Sequence, residues 1–503
     1  MNLGEALAAS AAKAPDRVAV TCGAETLTYA QFDALADRLG DGLLSAGIGQ
    51  GDRVALHMGN TIEMAASYFA CFKIGAIAVP LNIRLKAAEI DYVLAHSEAR
   101  LYIGEPGFYQ RSADTPDSCP PDRFYWVCAE PAAGVTPFAR LLQAPKRDAL
   151  PRARSSDPAV ILYTSGTTAR PKGVTHSHDS LRGTAESTFT LGFRRDDAFL
   201  GWAPLPHASG LMLQLLPAVL AATEVALVPR FDPAAILRTL ERRRCTATFG
   251  LPAGLQALCR ALAEGSYDVS SLRTCVAGGD SVSPALQKEF KEKFGVSIQE
   301  GIGMTEALPI SANRPGRIKI GSVGPPLDGM EVRIVDDQGA PVPRGVTGEL
   351  TVRTSVKMLG YWNDPAATAA AVRDGWLHTG DLVRQDEDGY CWFAGRKKEI
   401  IVRGGSNVAP QEVEDVLLQH PAVFQAGVIG VPDPELGESV IAFVSLRERG
   451  GCCERELIDF ARRLLSDHKV PGKVHFLESM PLGATGKVSR RTLKEWLPAA
   501  FGG

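Results

Sequence analysis

Apolar and polar positions follow two rhythms along this 503-residue chain. Short apolar runs such as Arg53-Val54-Ala55-Leu56, Ala76-Ile77-Ala78-Val79-Pro80 and Glu224-Val225-Ala226-Leu227-Val228-Pro229 have the length and β-branched content of buried strands. Helical spacing from Phe32 to Ala46 and from Pro233 to Arg244 predicts helices between such runs, and the succession predicts an α/β fold with parallel layers. The Arg242-Arg243-Arg244 run reads as a solvated helix end. From Gly321 to Phe393 the pattern changes. Val332-Arg333-Ile334-Val335, Gly348-Glu349-Leu350-Thr351-Val352 and Tyr390-Cys391-Trp392-Phe393 stand between Gly/Asp turns, as in a smaller, mostly β subdomain. After Gly395-Arg396-Lys397-Lys398-Glu399 a self-contained α+β pattern begins. It has a helix at Glu412 to Leu418, a strand at Val423 to Val431 and a helix at Arg455 to Leu465, the last with Leu457, Phe460, Ala461, Leu464 and Leu465 on one face. This stretch is long enough for a small domain of its own.

Length and composition narrow the picture. A chain of 503 residues exceeds one ordinary core and implies two to four domains or subdomains. With 54 basic and 57 acidic side chains it carries no electrostatic footprint for nucleic acid or an acidic membrane, so a small-molecule partner is expected. The most hydrophobic window, Leu211 to Val228, contains Gln214, Pro217 and Glu224 and reads as a buried helix leading into a strand, not a membrane span. Glu5, Lys13, Asp16 and Arg17 interrupt the N-terminal stretch, which lacks the apolar core of a signal peptide. Ten cysteines include no Cys-x-x-Cys pair, and the vicinal Cys452-Cys453 fits no common metal motif; a reduced, cytoplasmic thiol set is expected.

Candidate chemistry concentrates in Tyr163-Thr164-Ser165-Gly166-Thr167-Thr168-Ala169-Arg170-Pro171-Lys172-Gly173. The preceding Val160-Ile161-Leu162 predicts a strand running into a polar, glycine-punctuated loop. Gly166 and Gly173 let backbone amides approach a ligand, Thr164, Ser165, Thr167 and Thr168 can donate to phosphate oxygens, and Lys172 supplies a cation. The spacing is not that of a Walker loop. The alternative is a surface turn rich in small polar residues.

Further motifs follow in order: Pro206-His207, Gly303-Met304-Thr305-Glu306, Gly348-Glu349-Leu350, Thr379-Gly380-Asp381, Gly395-Arg396-Lys397-Lys398 and the terminal Gly486-Lys487. Together with the loop, this set resembles the adenylate-forming superfamily of acyl-CoA synthetases, peptide adenylation domains and luciferases, nearly from end to end. The resemblance implies ATP, Mg²⁺ and coenzyme A as cofactors and a reaction in two halves. A carboxylate first attacks the α-phosphorus of ATP to give acyl-AMP and pyrophosphate, and a thiol then displaces AMP. It further implies that the Thr164 to Gly173 loop wraps the β and γ phosphates, that Glu306 is the Mg²⁺ ligand, and that Thr305 bonds the α-phosphate. Asp381 would hold the ribose, with Arg396 as a second clamp. Gly278 and Gly279, with Glu300, Gly301 and Ile302, would flank adenine and one wall of the acyl pocket. Lys487 would offset charge building in the adenylation transition state, and Gly404 and Gly405 would line the thiol's approach. The implied division is a nucleotide and acyl domain over residues 1–394, a hinge over 395–398 and a mobile C-terminal domain over 399–503. Lys398 stands at the pivot, where many relatives carry Asp.

Two departures from the family pattern stand out: Ala169 replaces a usual Gly, and Ile302 a usual Tyr that packs on adenine. The acyl pocket is expected from His207, Ala208, Leu211 and Met212 on one side and Gly278, Gly279, Met304, Ala307 and Leu308 on the other. His207 would close it or steer the carboxylate. These positions are apolar and lack arginine, so a hydrophobic monocarboxylic acid is expected: medium-chain, branched or aromatic. Arg314 and Arg317 lie close enough in sequence to weaken that inference. His176 and His178 read as structural. Alternatives are an enzyme loading a carrier protein and a luciferase-like oxidation of the adenylate; a homodimer is a common default.

Overall fold

The computed structural model describes residues 1–109, 115, 119–127, 136–164, 170–403, 406–434, 436–448, 450–483 and 487–501. It is an α/β protein with a large N-terminal part built on two eight-stranded sheets. In one sheet, six strands run parallel in the order Ile298–Met304, Thr274–Gly278, Ala247–Gly250, Phe199–Gly201, Val225–Leu227 and Val18–Cys22. Antiparallel strands Ala307–Ala312 and Glu25–Thr28 close its two edges. The second sheet places Pro158–Thr164 parallel to Ile77–Pro80, followed by Arg53–His57 and Leu101–Gly104. The short apolar runs of the sequence are therefore strands, buried on both faces as parallel strands covered by helices must be.

The helices begin and end where local chemistry dictates. Pro284–Phe294 starts behind Ser283, whose hydroxyl accepts the Leu286 N–H, carries Pro at its first position, and stops at Gly295 with φ of 71°. Tyr29–Ser45 starts three residues before the first apolar position that marks it in sequence, because Thr28 and Gln31 form a capping box. The hydrophobic window from Leu211 becomes a buried helix with a π turn at Leu211–Leu215, ending at Ala221 before the strand Val225–Leu227. The arginine run ends its helix as read, with Arg242 and Arg244 exposed, while Arg243 Nε reaches Glu224 Oε1 at 2.7 Å and Arg242 donates to the Gly23 carbonyl.

A five-stranded antiparallel sheet carries Glu331–Val335, Gly348–Arg353, Trp376–Gln385 and Cys391–Arg396, matching the β character read from the sequence. The small C-terminal domain has its own five-stranded sheet, in which the long hairpin Val423–Asp433 and Gly437–Leu446 packs against Pro410–Leu417 and Glu454–Arg462 over a separate apolar core. Among the described residues no helix is long and apolar enough to cross a membrane.

Candidate active site

Three hairpins and one sheet edge converge on the site. Strands Pro158–Thr164 and Lys172–Ser177 pair antiparallel with Thr164 opposite Lys172, so the polar loop is a hairpin tip whose two ends are fixed by the ladder. Thr164 and Lys172 are half-buried there; Ser165, Gly166, Thr167, Thr168 and Ala169 lie outside the described residues, as do Gly404 and Gly405. Beside the tip is a half-open cleft of about 320 Å³, lined by Tyr92, His96, Arg170, Lys172, Tyr361 and Trp362.

In the second hairpin Met304 pairs with Ala307, which leaves Thr305 and Glu306 as its two-residue turn. The backbone of that turn is held from outside. His176 Nε2 lies 2.7 Å from the Thr305 carbonyl and the Met358 N–H donates to the Glu306 carbonyl at 2.7 Å. His176 is thus structural, as read, but what it fixes is the site's own turn. His178 accepts the Leu3 N–H and packs edge-on against Phe72. The Glu306 carboxyl is buried and accepts the Tyr361 hydroxyl at 2.7 Å. Burial raises its pKa, opposed by Tyr361, Arg396 and Lys172. A buried carboxylate of this kind suits Mg²⁺, which is commonly bound by one or two carboxylates together with substrate phosphates. No cluster of three metal-ligating side chains exists among the described residues.

Asp381 and Arg396 face each other across adjacent strands, joined by Nε to Oδ1 at 3.1 Å. Burial raises the Asp381 pKa, and Arg396 and Lys487 oppose the shift. The Lys487 carbonyl accepts the Gly483 N–H at 2.7 Å, and Leu482 bridges Val488. The Lys487 side chain reaches the N-terminal part. A Cβ added to Gly279 would lie 3.8 Å from Lys487 Cε, and Gly279 itself has φ of +85°, so a side chain there would be both strained and crowding. Burial and the repulsion of Arg396 lower the Lys487 pKa; Asp280, Asp381 and Glu399 act against them. His207 caps a short helical turn through Ser209, and burial followed by the Lys487 charge pushes its pKa down to about 4. It is a neutral imidazole at physiological pH.

Gly278 and Gly301 stand side by side on paired strands, where a Cβ on Gly278 would come 2.8 Å from the Gly301 carbonyl oxygen. Ile302 is buried beside them. The Glu300 carboxyl is turned to the loop after Gly278, accepting the Val282 N–H at 3.0 Å, while its other oxygen has no partner among the described residues. Burial pushes its pKa up to about 8. Ala208, Leu211, Met212 and Ala307 belong to one apolar cluster, against which Met304 and Leu308 pack. Arg314 is bonded to Asp328 at 3.1 Å and Arg317 is exposed.

This arrangement can hold a nucleotide between a phosphate hairpin, a carboxylate turn and a ribose-sized acid–guanidinium pair, with a cation delivered from the C-terminal domain. The family model of the AMP-binding enzyme matches residues 7–362, and that of the AMP-binding enzyme C-terminal domain matches residues 412–487. The chain belongs to the AMP-binding enzyme family. It is similar to a feruloyl-CoA synthase of an Amycolatopsis species, 37% identical over 94% of each chain, and to an indoleacetate–CoA ligase of Aromatoleum aromaticum, 34% identical over 98% of each. Its fold matches the crystal structure of the anthranilate CoA ligase AuaEII in complex with anthranoyl-AMP with a TM-score of 0.92 and 30% identity, over 100% of this chain and 98% of that one. The protein is an AMP-forming acid–CoA ligase, making acyl-CoA through an acyl-adenylate with ATP and CoA as substrates. Sequence reasoning named the candidate site residues and did not name what supports them. His176, Met358 and Tyr361 carry no motif of their own, so nothing in the sequence pointed to their supporting contacts.

Proposed function

We propose that this ligase activates a hydrophobic monocarboxylic acid, with an aromatic acid as the best fit. The observation carrying this reading is the uninterrupted apolar cluster of Ala208, Leu211, Met212 and Ala307 next to His207 and Lys487, with Arg314 committed to Asp328 and Arg317 turned to solvent. With Lys487 engaged by the reacting carboxylate, a second carboxylate would meet no cation among the described residues of this cluster and would remain desolvated and unpaired. The aromatic substrates named for the feruloyl, indoleacetate and anthranilate enzymes support it.

In this reading Lys172 and the hydroxyls of the hairpin tip hold the β and γ phosphates, and Thr305 bonds the α-phosphate. Glu306 holds Mg²⁺, which when bound neutralises phosphate charge. Asp381 and Arg396 grip the ribose. The Lys487 ammonium lies where negative charge builds as the carboxylate attacks, and its burial strengthens that interaction. His207, neutral, closes the acyl side without repelling Lys487. Lys487 then withdraws as the C-terminal domain over 399–503 turns about 395–398, bringing Gly404 and Gly405 toward the adenylate. Lys397, paired with Asp337 at 2.9 Å and Glu349 at 3.3 Å, anchors one side of that pivot, and Lys398 is exposed. Nine described cysteines are free thiols, which supports a cytoplasmic setting; a homodimer is the proposed assembly, on the frequency of two-fold dimers alone.

Pyrophosphate release and acyl-CoA formation measured across substituted benzoates, arylacetates, cinnamates, medium-chain acids and malonate test the substrate. An aromatic monocarboxylate should exceed malonate in kcat/KM by about a hundredfold or more, the cost of leaving one carboxylate desolvated and unpaired. Preference for the dicarboxylate would overturn the reading.

A further inference from the structure

Tyr361 belongs to none of the groups assigned above, yet it touches two of them. It lies on the two-residue strand Gly360–Tyr361, which pairs with Lys172–Ser177 so that Tyr361 stands opposite Val174. Its backbone N–H is bonded to Thr368 Oγ1 at 2.9 Å, and the next N–H, of Trp362, to the Gly173 carbonyl at 2.7 Å. The backbone that carries the ring is therefore held at two successive residues. On its face sits Lys172 Nζ, 4.6 Å from the centroid. At its tip the hydroxyl donates to Glu306 Oε1 at 2.7 Å. One side chain joins the cation of the phosphate hairpin to the carboxylate of the neighbouring turn, two groups that come from different sheets.

Each contact has a physical consequence. A hydroxyl donating to a carboxylate makes a charge-assisted bond that fixes the rotation of the carboxyl plane and occupies one of its two oxygens. Oε2 is left to bind a cation. The ring face attracts the Lys172 ammonium without neutralising it, so that the lysine is stationed but still free to donate to phosphate. The Met358 N–H on the same segment holds the Glu306 carbonyl, so this stretch fixes both the backbone and the carboxyl of Glu306.

We infer that Tyr361 is a positioning residue for adenylation: its hydroxyl sets the Glu306 carboxylate for the nucleotide-bound divalent cation while its ring stations Lys172 for the phosphates. This rests on Glu306 being the metal ligand, and the experiment separates the two claims. Mn²⁺ serves as the metal probe, titrated by electron paramagnetic resonance into the full-length protein saturated with α,β-methylene-ATP. Tyr361→Phe keeps the ring and removes the hydroxyl; it should weaken Mn²⁺ binding about tenfold, the scale of one charge-assisted hydrogen bond. The same variant should raise the half-saturating Mg²⁺ in pyrophosphate release and leave the KM for the acid unchanged. Tyr361→Leu, which also removes the ring, should raise the KM for ATP beyond the Phe variant. In a Glu306→Gln background the Phe substitution should add nothing further to the loss of Mn²⁺ affinity, because the hydroxyl acts through that carboxylate. That last comparison is made within one background, so a general loss of fold would show as an additive effect. Unchanged Mn²⁺ affinity in Tyr361→Phe, with affinity lost in Glu306→Gln, would overturn the role of Tyr361 and spare Glu306. Unchanged affinity in Glu306→Gln would overturn both. Additive losses would also overturn the coupling.

Discussion

Burial decides the behaviour of most individual groups in this site. His207 is held neutral by desolvation and by Lys487, Lys487 has its pKa lowered, and Glu306 and Asp381 have theirs raised until a cation compensates. Glu300 shows the same effect. Its pKa rises from an ordinary 4.5 to about 8, so at neutral pH the folded protein keeps a proton that the unfolded chain has released. The stabilisation from that proton is complete below about pH 4.5 and is lost as pH rises through about 8. Thermal unfolding followed from pH 5 to 9 should show the wild type losing stability relative to Glu300→Gln, which fills the same space and does not titrate. Parallel curves for the two proteins would refute a buried, protonated Glu300.

At the level of elements, the site is a set of turns fixed by the ladders behind them. Thr305 and Glu306 are placed by the hairpin of Ile298–Met304 and Ala307–Ala312, Lys172 by its pairing with Thr164, and Arg396 by its register opposite Asp381. Gly278 is part of this machinery, since its missing side chain lets its strand lie against Gly301. Gly278→Ala would set a methyl 2.8 Å from the Gly301 carbonyl oxygen. Strain of this sort costs about 1–3 kcal/mol, and the displaced strand carries Ile302 toward the Thr305–Glu306 turn. A lower melting temperature together with a raised KM for ATP is expected, and an ATP KM equal to wild type would contradict it. Much of this layer was legible in the sequence. The strands at Arg53, Ala76 and Glu224 declare themselves by short apolar runs, and the loop before Lys172 by its hydroxyls and glycines. The supports were not legible, because His176 and Tyr361 act across 129 and 55 residues of chain, and only register brings them to Thr305 and Glu306. Glu300 was read as part of the segment flanking adenine and one wall of the acyl pocket; its carboxyl accepts the Val282 N–H, a contact set by the bend after Gly278 that the sequence does not announce.

For the whole molecule, the active site is assembled from two bodies with separate cores. The C-terminal domain packs its own cluster around Val413, Val428, Val440 and Leu457, and meets the N-terminal part through Lys487 at Gly279 and through the Arg260 guanidinium, 4.7 Å from the Phe424 ring centroid. Lys487 is seated beside His207, Asp381 and Arg396, the arrangement proposed above for forming the adenylate. The sequence around Lys487 does not mark it as buried, and the groups beside it lie 88 to 280 positions earlier in the chain, from Glu399 back to His207. The central claim is that this one lysine serves the first half-reaction and leaves before the second. Single-turnover kinetics of Lys487→Ala test it directly, with acyl-AMP formation from acid and ATP followed separately from thioester formation by preformed acyl-AMP and CoA. Acyl-AMP formation should fall by about a hundredfold or more, the scale of a lost transition-state charge contact, while thioester formation stays within a few-fold of wild type. Equal loss in both half-reactions, or loss in neither, would contradict it.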